Sequence, residues 1–180
     1  FASGQFPQVY EVSIEGGRPT MFSSMPMEDI SFSSDGKKIL YHDKKGYEDP
    51  WRKRHTSSIT RDVWMCNLEG ERSYKKLSSF NGEDRNPVWA NTDTYYYLSE
   101  QNGSFNIFKA SLNGGSSVQI TKHEKHPVRF LSRANNGMLC YGYDGGIYTL
   151  KEGEQPQKVN IKVVTDQINR DIIRQIKNNG

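Results

Sequence analysis

Four segments of the chain repeat one pattern of hydrophobic and polar positions. Each begins with a β-branched residue followed by an aromatic one, continues with alternating positions and runs into a turn that contains Gly. Alternation with a period of two residues predicts β-strands, and the Gly-containing turns predict hairpins to a short second strand. The four segments begin at Val9, Val63, Ile107 and Ile147.

A second type of hairpin lies between these segments. Residues 30–41 have the pattern of two strands joined by an Asp35-Gly36 turn, and residues 88–98 and 128–141 repeat it. Each unit therefore holds four short strands in about 40 residues, the length and strand count of one β-propeller blade. The sequence predicts an all-β fold: a partial β-propeller of about three and a half four-stranded antiparallel blades.

The predicted propeller segment covers residues 1–159 and is followed by a connector. We expect a half blade at 1–26 and blades at about 27–80, 81–122 and 123–159. Residues 160–180 are predicted to form an extended connector toward a following domain, although the tail also has isoleucines at helical spacing. Those isoleucines are Ile168, Ile172 and Ile176.

The strand count has a consequence for association. A propeller closes its ring with four to eight blades, so three and a half blades leave open strand edges. We therefore expect either that the chain is a piece of a longer protein, next to the remaining domains of the same chain, or that two copies associate through these edges.

The repeat also predicts which side chains are buried. The aromatic residue recurs at one position of each unit, so we expect it to pack between blades rather than to form a platform for sugars. These aromatic residues are Tyr10, Trp64, Phe108 and Tyr148. In the first copy, Val12 and Ile14 are predicted to share the face of the aromatic residue.

Composition narrows the possible functions. Among 180 residues, 24 are Lys or Arg and 21 are Asp or Glu, so the net charge of +3 gives no argument for a nucleic-acid partner. No apolar run approaches the ~18 residues of a membrane span.

Two cysteines exclude a disulfide-rich scaffold and a four-cysteine zinc site. The chain has no Gly-x-Ser-x-Gly or Gly-x-x-x-x-Gly-Lys motif, and we predict no catalytic residue and no cofactor here.

The cysteines and a histidine pair have mainly structural interpretations. Cys66 lies at a core position of the repeat and is predicted to be a buried thiol, whereas Cys140 falls on a different blade, which disfavours a disulfide. His123 and His126 are three residues apart and precede Pro127, which makes a helical zinc site improbable and a surface connection the default. We therefore predict no metal site.

One loop carries the candidate binding residues. The segment 47–60 is an insertion between the second and third strands of a blade, and loops on a rigid scaffold often carry function. Its cations lie beside a tryptophan and could hold a carboxylate, since Arg offers a bidentate fork. Alternatively, Glu48 and Asp49 pair internally with the cations. The candidates are Trp51, Arg52, Lys53, Arg54 and His55.

Four stretches resemble two known families. SFSSDGKKILY and IFKASLNGG resemble the TolB-type propeller repeat, which is similar to WD-type repeats. The stretch GYEDPWRKRHTSSITRDVW (residues 46–64) resembles the first propeller of bacterial tricorn-like serine proteases, and KVNIKVVTDQINRDIIRQI resembles the passage into their second propeller. This resemblance covers nearly the whole chain.

The resemblance implies a large peptidase with two propellers, a PDZ-like module and a distant serine nucleophile. It implies that the propellers filter and channel peptide substrates, and that a basic pair near the propeller holds the substrate's C-terminal carboxylate; Arg52, Lys53 and Arg54 are the candidates. It also implies export, to the periplasm or beyond. The alternative is a stand-alone TolB-type propeller that binds proteins in the cell envelope. A propeller enzyme with its own pocket ranks last.

Overall fold

The computed structural model describes residues 6–47, 49 and 51–164. Their strands form one two-stranded and three four-stranded antiparallel sheets, each built from consecutive strands. The first sheet holds β1 (Val9–Glu11) and β2 (Thr20–Ser23). Blade 1 holds β3 (Met27–Phe32), β4 (Lys38–Asp43), β5 (Val63–Asn67) and β6 (Ser73–Lys76). Blade 2 holds β7 (Asp84–Trp89), β8 (Thr94–Ser99), β9 (Asn106–Ser111) and β10 (Val118–Gln119). Blade 3 holds β11 (Arg129–Arg133), β12 (Leu139–Tyr143), β13 (Gly146–Leu150) and β14 (Gln157–Lys158).

This architecture confirms the predicted fold class, a partial β-propeller of four-stranded blades. The hairpin of β3 and β4 shows how the local sequence produces it: Ser33 N–H donates to the Lys38 carbonyl at 2.8 Å, and Gly36 has a φ of 70°. That left-handed conformation favours glycine, which explains the Asp-Gly turn. The division of the chain at residue 159 stays a prediction, and residues 165–180 of the expected connector lie outside the described residues.

The first strands of the three blades bend at one equivalent place. Asp29, Asn86 and Phe130 have φ angles of 51°, 51° and 56°. At each of them the pairing with the next strand shifts register, which marks a β-bulge. β3 contacts β7, and β7 contacts β11. The three bulges therefore lie close together where the first strands of the blades meet, which we call the inner edge.

Hydrophobic side chains fill the spaces between consecutive sheets. Trp64 and Cys66 pack toward the first sheet, Phe108 packs toward blade 1, and Tyr148 packs toward blade 2. The repeated aromatic residue thus faces the preceding sheet each time. Cys66 is fully buried, as its repeat position predicts.

The prediction for the first copy of the repeat was wrong. Tyr10, Val12 and Ile14 are 53%, 58% and 100% exposed. The strand β1 ends at Glu11, and Val9 is the residue that packs on the core of blade 1. Tyr10 points to the opposite face, which no other sheet of the described residues covers. A repeat position is buried only where a preceding sheet lies against it.

Candidate functional site

A cavity of about 260 Å³ lies where the three bulged strands meet. We call it the axial cavity. The loop between β4 and β5 covers part of it, so side chains from all three blades and from this loop line one space. The lining residues are Glu28, Asp29, His42, Trp51, Arg61, Arg85, Asn86, Arg129 and Phe130.

One wall of the axial cavity is basic. Arg61 donates to Glu83 at 2.8 Å, and Arg85 lies over the ring of Phe105 at 4.4 Å. Burial lowers the pKa of Arg85 to about 10; the nearby charge of Arg129 contributes to this, while Glu83 opposes it. Three buried guanidinium groups therefore lie close together, and the carboxylate of Glu83 contacts both Arg61 and, at 3.5 Å, Arg85.

Blade 1 contributes a carboxylate to the cavity, that of Glu28, which lies 3.5 Å from Arg61. The Nε2 atom of His42 lies 3.3 Å from Glu28, and Lys44 donates to the other oxygen of the same carboxylate at 2.8 Å. The hydrogen bond with His42 holds the pKa of Glu28 at about 2, against the effect of burial. On the other side of the imidazole, the backbone N–H of Asn86 lies 3.3 Å from Nδ1. That N–H needs an acceptor, so Nδ1 carries no proton in this arrangement.

The loop that the sequence singled out lies over this region. The ring of Trp51 is 63% exposed, packs edge-on against Phe130 and covers the guanidinium of Arg129 at 4.9 Å. Asp49 accepts the Trp51 backbone N–H at 2.9 Å. The loop of blade 1 therefore reaches the inner strand of blade 3.

The five predicted residues do not lie in one place. Arg52, Lys53 and Arg54 are exposed, whereas His55 is buried with Nδ1 at 3.9 Å from Glu83. Trp51 lines the axial cavity; Lys53 lines a neighbouring cavity beside blade 3, and Arg54 lines a further one with residues 102–104. Carboxylate binding by this loop stays a prediction.

Sequence reasoning missed the arginines of the axial cavity. Arg85 and Arg129 occupy equivalent positions of β7 and β11, one residue before the bulge residue. Arg61 directly follows the insertion and lies two residues before β5. The recurrence of Arg at the start of two consecutive inner strands was the signal that could have found the site.

The other candidate residues have local partners. His123 stacks on Tyr143 with ring centroids 3.8 Å apart, and its Nε2 lies 3.0 Å from the Tyr141 hydroxyl. His126 is 3.3 Å from Asp144. Within residues 6–47, 49 and 51–164, no group of three or more His, Cys, Asp or Glu could hold a metal ion. Both cysteines are free thiols.

The repeat and this geometry agree with a family comparison. The family of tricorn protease N-terminal β-propeller domains matches residues 1–156. The chain belongs to this family. A comparison with curated proteins finds no match.

Solved structures show the same fold as this tricorn-type propeller. The tricorn protease is 17% identical over 91% of the chain, with a TM-score of 0.70. A protein described as TolB from Agrobacterium tumefaciens is 16% identical over 84%, with a TM-score of 0.67. A puromycin-hydrolyzing peptidase from Mycobacterium tuberculosis is 15% identical over 73%, with a TM-score of 0.57.

The chain is short beside these proteins. It spans 55% of the TolB chain, 15% of the tricorn protease and 21% of the peptidase. In the part that the structure describes, no helix has the length and apolar character needed to cross a bilayer.

Proposed function

We propose that this tricorn-type propeller is a non-catalytic part of a serine peptidase, in which it gates or channels peptides to a distant active site. Membership of the tricorn N-terminal propeller family supports this most directly. Peptide substrates and the remaining domains of a longer chain are then its partners. Export to the periplasm is part of the same proposal and rests on resemblance alone.

We further propose that the loop at residues 51–55 recognises the C-terminal carboxylate of a peptide. Arg52, Lys53 and Arg54 are three exposed cations of this loop, of which Lys53 and Arg54 line two separate cavities. The backbone of this loop is held in place by blade 2, because the carboxylate of Glu100 accepts the backbone N–H groups of Arg54 at 2.7 Å and of His55 at 3.0 Å. A fixed backbone lowers the entropy that the loop would lose on binding.

Peptide pairs with free and amidated C-termini test the loop. In the intact protein, we expect the free acid to bind more tightly, and we expect this preference to disappear when Arg52, Lys53 and Arg54 are replaced by Gln. The replacement Lys151→Gln removes an exposed cation of blade 3 and is the control, which should keep the preference. Equal affinity for the two peptides in the unmodified protein would contradict the anchor.

The peptidase part needs a separate measurement. A fluorophosphonate probe labels activated serine nucleophiles, so the protein isolated from its natural source should react with it and lose peptide hydrolysis. Absence of both labelling and hydrolysis would favour the alternative, a TolB-type propeller that binds other proteins. The exposed apolar face of blade 3, where Phe130 is 68% and Ile147 44% exposed, supports that alternative.

A further inference from the structure

Both carboxylates and guanidinium groups line the axial cavity. Blade 1 contributes the carboxylates of Glu28 and Asp29, and blades 2 and 3 contribute the guanidinium groups of Arg85 and Arg129. A cavity of about 260 Å³ is smaller than the usual pocket for a drug-sized ligand. The space therefore suits a small molecule that carries both charges.

Asp29 is the carboxylate best placed to receive a cation. Glu28 already contacts Lys44 at 2.8 Å and Arg61 at 3.5 Å. The side chain of Asp29 is 50% exposed, and its described contacts are the Asn86 amide and, at 3.6 Å, the Nδ1 atom of His42. Because Nδ1 accepts a hydrogen bond from the backbone of Asn86, it does not neutralise Asp29 in this arrangement.

The basic wall can receive an anion. A guanidinium group has five N–H donors, so one that already has partners can still donate to a ligand. Burial lowers the pKa of Arg85 to about 10; the nearby charges of Arg129 and Arg61 act in the same direction, while Glu83 and Glu100 oppose the shift. A carboxylate beside these groups would relieve the repulsion between them.

Two exposed aromatic rings form the lip of the cavity. Trp51 and Phe130 are 63% and 68% exposed, and their ring centroids are 6.3 Å apart in an edge-on arrangement. Trp51 also lies over Arg129 at 4.9 Å. An aliphatic side chain of a bound molecule would contact these rings while its charged groups reach the carboxylates and guanidinium groups.

We propose that the axial cavity binds a free α-amino acid, with the ammonium group at Asp29 and the carboxylate at Arg85 and Arg129. The assignment uses residues outside the 52–54 cations and does not depend on a peptidase partner. It would hold equally for a propeller that has no catalytic domain.

A matched series of leucine derivatives tests the two charges separately. L-leucine carries both charges, N-acetyl-L-leucine only the carboxylate and L-leucinamide only the ammonium group. Titration of the intact protein by calorimetry, followed also through tryptophan fluorescence, should show leucine binding about tenfold or more tightly than either blocked form. Equal binding of the acetylated form would indicate a simple anion site, and equal binding of the amide a simple cation site; each overturns the proposal, as does the absence of saturable binding.

Substitutions then locate the charges. Asp29→Asn should weaken leucine and leucinamide about tenfold and leave N-acetyl-leucine unchanged. Asn tolerates the left-handed backbone at this position, where φ is 51°, so the fold should persist. Asp144→Asn is the control, since Asp144 has a φ of 47° and lies outside the cavity lining.

The opposite charge has its own variant. Arg129→Lys keeps the positive charge and the stem but removes the fork, and it should weaken leucine and N-acetyl-leucine while leucinamide is unaffected. Equal weakening of all three ligands by Asp29→Asn or by Arg129→Lys would mean that the residue acts only on the structure, and it would overturn the assignment.

Discussion

The carboxylate of Glu100 accepts the backbone N–H of His55 at 3.0 Å. Glu100 directly follows β8 of blade 2, whereas His55 belongs to the loop of blade 1. The same carboxylate accepts the N–H of Arg54 at 2.7 Å and is buried. One side chain of the second blade thus fixes the backbone of the loop that lies over the axial cavity.

Replacement of Glu100 by Ala should loosen this loop. Two charge-assisted hydrogen bonds disappear and two backbone donors lose their acceptor, so we expect a loss of about 2–4 kcal/mol in unfolding free energy. Amide hydrogen exchange at Arg54 and His55 should accelerate. Glu154→Ala, which removes an exposed carboxylate of blade 3, should change neither quantity. Unchanged exchange in the Glu100 variant would contradict the anchoring role.

Asp84 predicts an unusual dependence of stability on pH. Its side chain lies between blades 1 and 2 and is 1% exposed, and Oδ1 has no hydrogen-bond partner among the described residues. Burial raises the pKa of Asp84 to about 7, with a further contribution from the charge of Asp62, while a hydrogen bond with Ser99 opposes the shift. Between about pH 4 and pH 7 the folded state therefore keeps a proton that the unfolded state has lost.

The sign of the effect follows from this difference in bound protons. The contribution of Asp84 to stability is fully present below about pH 4 and is lost as the pH rises through 7. The contribution of Glu28, whose pKa is lowered to about 2, has the opposite pH dependence: it is present above about pH 4.5 and is lost as the pH falls through 2. Asp84→Asn should therefore stabilise the protein by roughly 1–3 kcal/mol at pH 8 and by clearly less at pH 5, because the difference in bound protons accumulates between about pH 4 and pH 7.

Urea unfolding at pH 5 and pH 8 checks this prediction. Glu152→Gln, on blade 3 and away from Asp84, is the control. Hydrogen bonds from Lys109 at 2.8 Å and from the Tyr96 hydroxyl lower the pKa of Glu152, so its carboxyl group is ionised at both pH values. This second variant should be destabilised to a similar extent at pH 5 and pH 8. If Asp84→Asn changed the unfolding free energy equally at pH 5 and pH 8, this result would contradict the prediction that Asp84 is protonated in the folded state.

Local pattern predicted the blades but not their inner bends. The Asp35-Gly36 turn was predictable because glycine accepts the left-handed conformation found there. Phe130 adopts a φ of 56° without any such signal, since bulky residues rarely enter this region. The bulge at Phe130 depends on how β11 meets β7 at the inner edge, which is a tertiary contact absent from the local sequence.

The site was only partly predictable for the same reason. The insertion was identified from its length and its cations, and Trp51 does reach the axial cavity. Arg61, Arg85 and Arg129 are far apart in sequence, and each one alone resembles an ordinary surface cation. Only the packing of three blades brings these arginines together, so no single sequence motif predicts the cluster.

Two tyrosines at one repeat position should respond oppositely to the loss of their hydroxyl groups. Tyr41 pairs with Trp64 and Tyr141 pairs with Tyr148, and both rings are buried. The hydroxyl of Tyr41 has no partner within the described residues, whereas that of Tyr141 lies 3.0 Å from His123. An unpaired buried hydroxyl is costly, and a paired one stabilises.

Phenylalanine replacements measure this difference. We expect Tyr41→Phe to be neutral or to stabilise by about 1 kcal/mol, and Tyr141→Phe to destabilise by about 1 kcal/mol. Thermal or urea unfolding of the two variants beside the unmodified protein gives the comparison directly, since each serves as the other's control. Equal destabilisation by the two substitutions would mean that the Tyr41 hydroxyl forms a hydrogen bond in solution, for example with a bound water.

The outer face of blade 3 predicts self-association of the chain. Val63, Ile107 and Ile147 occupy one repeat position, and their exposures are 0%, 0% and 44%. The first two are covered by the following blade, while Ile147 has no further sheet of the described residues against it. Phe130 extends the same exposed face. An apolar face of this kind tends to bind another surface.

Sedimentation of the 180-residue chain at increasing concentration should therefore show dimers or larger species. Ile147→Asp places a charge in the middle of the face and should shift the equilibrium toward monomer without changing the unfolding midpoint, because the side chain is already half exposed. Val118→Asp is the control: Val118 is 61% exposed on the outer strand β10 and lies away from this face. A monomer at all concentrations, or an equal effect of both substitutions, would argue against association through the open end of the blades.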